Sequence, residues 1–120
     1  MILNLFLDLS GQCFIDQMPR EMGARQINLP GRLNIAKCIG VCEMLNYKYA
    51  GVQYGNQCFC DNHYPAVEDM QYKCDMQCAG NSWEKCGGFW RMNVYSTTYP
   101  IHLSLAEARE VMNIVQGLEP

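Results

Sequence analysis

The chain has no apolar run approaching the roughly 18 residues that a membrane-spanning helix needs, so this sequence contains no membrane span and inserts into no bilayer. It has no long run of like charge and a net charge of only -3, which makes nucleic acid a poor partner. No Cys-x-x-Cys occurs, which argues against a thioredoxin-like redox enzyme, and no Asn-x-Ser/Thr acceptor is present. His63 and His102 have no Ser-His-Asp arrangement or convergent carboxylate pair around them, and the scattered acidic residues show no calcium-loop spacing. Leu, Ile, Val and Phe are modest in number, and there is neither an internal repeat nor a low-complexity stretch. What remains is one small non-enzymatic domain with a thin core, no metal and no cofactor.

Cysteine is the residue in excess, with eight in 120 residues. Such density belongs to exported scaffolds stapled by disulfides, because cytosolic thiols are kept reduced. The start of the chain conflicts with export: Met1 to Leu7 is apolar but short, lacks a preceding basic residue and is cut off by Asp8, so it makes a poor signal peptide. The chain is therefore read as a fragment whose true beginning is missing.

Gln12 to Asp16 reads as a short strand, and Gly23, Pro30 and Gly31 mark the next segment as loop. With Asn34 as N-cap, Ile35, Cys38, Ile39, Cys42 and Leu45 fall on one helical stripe that Asn46 can close in the left-handed conformation. Gly40 weakens this helix by up to about 1 kcal/mol, so something else must hold it. Tyr49 to Tyr54, Gly55-Asn56 and Gln57 to Cys60 read as a hairpin with a type II′ turn, which sets Gln53 opposite Cys58 and Gly51 opposite Cys60, with Val52 and Phe59 on the other face. A glycine opposite Cys60 leaves space for a helix. Asp61 to Gly88 reads as irregular loop, and Trp90 to Tyr95 alternates like a strand. Ser104 to Glu107 is a capping-box pattern opening a tail helix, with Leu105, Ala108, Val111, Met112 and Val115 at helical spacing and Gly117 as its stop. That helix packs on the domain, links to a neighbour or frays.

Cys38 and Cys42 are four apart on a helix, and Cys58 and Cys60 are two apart on a strand. Both spacings put a pair on one face, separated by about 6–7 Å, so the pairs match like rungs. They must meet as a set if the helix lies on the strand, in an order that the strand direction dictates. Cys78 and Cys86 can close the short loop between them, which leaves Cys13 for Cys74. A four-thiolate zinc site at Cys38, Cys42, Cys58 and Cys60, with His63 as alternate ligand, is the competing arrangement. It is disfavoured because it leaves four cysteines unexplained.

Gly-Gln-Cys13-Phe-Ile-Asp, Cys38-x3-Cys42, Tyr47-Lys-Tyr-Ala-Gly-Val-Gln-Tyr-Gly55, Cys58-Phe-Cys60, Cys78-Ala-Gly-Asn81, Cys86-Gly-Gly88 and Arg91-Met-Asn-Val-Tyr95 together resemble a WSC domain, from about Gly11 to Ser96. This module is named for fungal wall-stress sensors and is also found in Kremen-type receptors and in xylosyltransferase-bearing animal proteins. The resemblance implies a PAN-like α+β fold, an antiparallel sheet with one main helix packed on it. It also implies the pairs Cys13–Cys74, Cys38–Cys58, Cys42–Cys60 and Cys78–Cys86. The expected organisation is a cysteine-rich domain over 8–96 and a tail with a short amphipathic helix over 97–120. Asp61 departs from the family's usual Gly, Gln77 from its frequent Pro, and Trp83 from a small or polar residue.

Family members are generally non-catalytic and are thought to bind polysaccharide or to serve as extracellular recognition modules. A carbohydrate site needs aromatic faces beside amides or carboxylates. Trp83, flanked by Asn81, Ser82 and Glu84, is the first candidate, and Tyr54, Asn62, His63 and Tyr64 form a second. Trp90, Phe14, Phe59, Tyr49 and Tyr95 read as core or sheet-face packing. The expected function is glycan binding by an extracellular, secreted or ectodomain module. The alternatives are protein recognition within a receptor, or an accessory role beside a catalytic domain absent from this fragment.

Overall fold

A computed structural model describes residues 8–117; the apolar start at Met1 to Leu7 lies outside them. The principal sheet has the order β1-β7-β3-β4-β2, formed by Ser10–Ile15 (β1), Arg25–Asn28 (β2), Tyr49–Gln53 (β3), Gln57–Asp61 (β4) and Arg91–Ser96 (β7), with every neighbour antiparallel. A second, two-stranded sheet joins Gln77–Cys78 (β5) to Asn81–Lys85 (β6). The helices are Ile35–Met44 (α1) and Leu105–Val115 (α2).

The caps of α1 are those its sequence encodes. Asn34 Oδ1 accepts the Lys37 N–H at 2.8 Å, and Asn46 turns the chain out of the helix at φ 67°. Ala50, Val52, Cys58 and Cys60 point from the sheet toward Cys38, Ile39, Val41 and Cys42 of α1. The bonds Cys38–Cys58 and Cys42–Cys60 run across that contact. Cys13–Cys74 and Cys78–Cys86 complete the set, so all four bridges implied by the family resemblance are present. Cys42 Sγ and Cys58 Sγ approach to 3.9 Å because neighbouring rungs lie side by side, and both are already bonded elsewhere. Disulfide formation thus replaces the zinc arrangement.

The opposite face of the sheet carries its own core of Leu9, Phe14, Met22, Phe59, Met92 and Val94. Residues pair one step away from the expected hairpin register: Val52 opposes Cys58, Ala50 opposes Cys60, and Gly51 opposes Phe59. Val52 therefore faces α1 while Phe59 faces away. The cause is a three-residue loop in which Tyr54 and Gly55 are both left-handed, at φ 56° and 77°. Tertiary bonds fix it, from Gly55 N to Cys86 O, Ala79 N to Gly55 O and Leu29 N to Asn56 O. Gly51 makes room for the Met92 and Met22 side chains, not for the helix.

Two stretches expected to be loop contain strands. One is β2, within the segment after the first strand, and the other is the β5–β6 hairpin, within 61–88. Asp61 ends β4 without a left-handed backbone, and its carboxylate accepts from the Ala24, Asn62 and His63 N–H groups.

The tail helix packs against α1. Its capping box forms, with Ser104 Oγ accepting the Glu107 N–H and Glu107 Oε1 accepting the Ser104 N–H. The Ser104 N–H, followed by the Asn34 side chain, holds the Glu107 carboxyl below its usual range. Glu110 receives both Lys37 Nζ and Arg32 Nη1 at 2.8 Å, which gives the nearly buried Lys37 ammonium a counter-charge. Val111 and Ile114 are the buried residues, whereas Leu105 and Met112 of the expected stripe face solvent.

Gly40 lies under this tail. A Cβ there would meet Leu103 Cδ1, Ile101 Cδ1 and Val111 Cγ1 at 3.4–3.7 Å, an ordinary packing contact. Gly40→Ala is therefore expected to stabilise the fold by about 0.5–1 kcal/mol through helix propensity. A lowered midpoint in thermal unfolding would contradict it.

Candidate functional site

The expected candidates do not converge. Trp83 stands on β6 with 94% of its surface exposed, and Asn81 Oδ1 beside it accepts the Trp83 N–H. Glu84, the next residue along the strand, turns the other way, and its Oε1 accepts the Ile35 N–H at the start of α1. Tyr54 and Asn62 lie beyond opposite ends of β4. Asn62 Oδ1 accepts the Lys48 N–H, and Tyr64 packs its ring on Phe14 and Tyr49, with centroids 5.7 and 5.0 Å apart.

A cleft that sequence reasoning missed lies on the face of the sheet away from α1. Arg20, Gln53, Tyr54, Gln57, Phe89 and Trp90 line a space of about 190 Å³. Gln53 and Gln57 are cross-strand partners at the loop end of β3 and β4, so both amides reach the same side. Trp90 is half-buried here instead of packing in the core, because its left-handed backbone, φ 54°, turns the chain immediately before β7. Phe89 is 69% exposed and meets Trp90 edge to face at 6.4 Å.

Arg20 closes the cleft on one side. Its guanidinium carbon lies 5.0 Å from the ring centroids of both Phe59 and Trp90. Its Nη1 donates to Asp16 Oδ2 at 2.7 Å, and that aspartate side chain is fully enclosed. The single charge on the cleft wall is therefore balanced from beneath. Gln53 is only 3% exposed, and its Oε1 has no hydrogen-bond partner.

Phe89 also borders a second cleft of about 280 Å³, shared with Lys73, Asp75, Met76 and Arg91. Arg91 Nε donates to Asp69 Oδ2 at 2.7 Å. The Lys73 N–H, against the effect of burial and together with Arg91 and the Gln71 N–H, holds the Asp69 carboxyl below the ordinary range. The phenyl ring is thus a ridge between two depressions. A signal that could have found it is the pair of adjacent aromatics, Phe89-Trp90, directly after the turn-forming Gly87-Gly88.

The family model described as WSC domain matches residues 11–88. Xylosyltransferase oxt of Drosophila melanogaster is 41% identical over 97 residues, covering 78% of this chain and 11% of that protein. A WSC domain-containing protein of Arthroderma benhamiae is 44% identical over 66 residues, covering 53% of this chain and 7% of that one. Kremen protein 2 of Homo sapiens is 29% identical over 89 residues, covering 72% and 19%. The chain thus spans a small part of the length of these relatives.

Proposed function

The chain belongs to the WSC domain family, an extracellular module, and on that premise we propose that it is a non-catalytic glycan-binding module that uses the cleft on the far side of its sheet. The observation carrying this reading is the joining of aromatic rings to amides: the exposed Tyr54 and Phe89 and the half-buried Trp90 line one cleft with Gln53 and Gln57. Aromatic faces stack on the apolar face of a sugar ring, and amides satisfy its hydroxyls. The space is below the roughly 300–1,000 Å³ of pockets that enclose drug-sized ligands. It suits one ring or a ring substituent, with the rest of a saccharide chain lying along the surface across Phe89. Balanced charge at Arg20 and Asp16 favours a neutral sugar. The disulfides keep this surface ordered before binding, which limits the entropy lost on association. Glycan retention beside a catalytic domain would also suit relatives named as xylosyltransferases.

Affinity measurements on laminarin, xylan, chitin oligosaccharides and heparan sulfate test the proposal. Trp90→Ala is expected to weaken binding about tenfold and Trp83→Ala to leave it within about twofold. Retention of full affinity by Trp90→Ala, or failure of every glycan to bind, refutes the cleft. A second reading, protein recognition, is favoured by the almost fully exposed Trp83. It predicts a partner captured without glycan, lost in Trp83→Ala and kept in Trp90→Ala.

A further inference from the structure

Among the described residues, Gln53 Oε1 is the buried side-chain polar atom left without a partner. Buried amide oxygens are ordinarily paired, and leaving one unpaired costs free energy that a suitable ligand recovers. We infer that Gln53 makes the cleft select a saccharide carrying an acetamido group, an N-acetylhexosamine, over the same ring carrying a hydroxyl. This rests on the glycan-binding reading of the cleft.

The lining matches the three parts of that group. Oε1 is an acceptor only, so it calls for an N–H or O–H. An acetamido N–H fills that role, while the adjoining methyl has Phe89 and Trp90 to pack against. Its carbonyl can take a hydrogen bond from Gln57 or from an Arg20 N–H beyond the one given to Asp16. A hydroxyl lacks the methyl that packs against Phe89 and Trp90, so it gains no apolar contact by entering, stays hydrated at the rim and leaves Oε1 unpaired. The small size of the space supports the same choice, because it takes a substituent inside while the sugar ring stays at the rim.

Calorimetric titration of the full chain with chitohexaose and cellohexaose tests the inference, since these oligomers share a backbone and differ by acetamido against hydroxyl. Wild type is expected to bind chitohexaose about tenfold more tightly. Gln53→Met should retain the fold and all four bridges and bring the ratio close to one, chiefly by weakening chitohexaose. Gln53→Leu serves if the methionine disturbs folding. A ratio near one in wild type, or one unchanged in the variant, overturns the inference. Binding of laminarin or xylan without chitohexaose overturns it while sparing the glycan reading. Failure of every one of these glycans, heparan sulfate included, refutes both.

Discussion

A variant with Cys38, Cys42, Cys58 and Cys60 all replaced by alanine is expected to lose about 5–6 kcal/mol of unfolding free energy. The bridges span 20 and 18 residues of sequence, and either one closed alone contributes about 3 kcal/mol in the chain-entropy model. With one rung in place, the cysteines of the other are only four and two residues from it along the chain. The second closure then adds only about 2 kcal/mol. Removing one pair therefore costs less than an isolated bridge would, and removing both costs more than the sum of the single losses. A total of this size takes up much of the roughly 5–15 kcal/mol that holds a domain of ordinary stability together. Helix α1 is too short to persist alone, and Gly40 weakens it further. Denaturant titration of the three variants in an oxidising buffer measures the cycle; a four-alanine protein within about 2 kcal/mol of wild type would refute it.

Gly87→Ala is expected to cost about 3–4 kcal/mol, lowering the thermal midpoint by roughly 10–15 °C. Its φ of +73° is unfavourable for alanine, and the added Cβ would sit 2.5 Å from both Arg91 O and Val52 O. Those are backbone atoms of β7 and β3, and neither strand can retreat without breaking the sheet. The same residue donates its N–H to the buried Asn93 Oδ1 and accepts the Met76 N–H, so the turn cannot rotate away. Gly31 supplies the control, because its φ is +72° but nothing lies within 4 Å of its missing Cβ. Gly31→Ala should cost only about 1 kcal/mol. Equal losses at the two sites would mean that backbone conformation alone sets the penalty.

What could be read from the sequence was what local chemistry determines. Asn34, Asn46 and the Ser104–Glu107 box fixed helix ends through bonds made within a few residues, and the spacing of Cys38/Cys42 and Cys58/Cys60 followed from helix and strand geometry. Strand β2 was illegible because Arg25, Gln26 and Asn28 are exposed and Ile27 alone is half-buried, which leaves no alternating pattern to detect. The hairpin register depended on bonds from its loop to Leu29, Ala79 and Cys86, none of them nearby in sequence. The cleft was hidden for the same reason. Arg20, Gln53, Gln57 and Trp90 come from three separated segments, and Trp90 leaves its strand pattern through a positive φ. Trp83 drew notice because its local neighbours looked suitable, yet strand alternation sends Glu84 to the other side of the hairpin.

The sulfur ladder and the aromatic cleft lie on opposite sides of one thin sheet. The lining at positions 57, 89 and 90 is therefore open to redesign, as in an antibody loop, while Arg20 keeps its place over the enclosed Asp16 and the clamp behind the sheet stays untouched. Libraries randomised at those three positions should yield oxidised, folded proteins with altered sugar preferences, which would make the domain a stapled platform for affinity reagents.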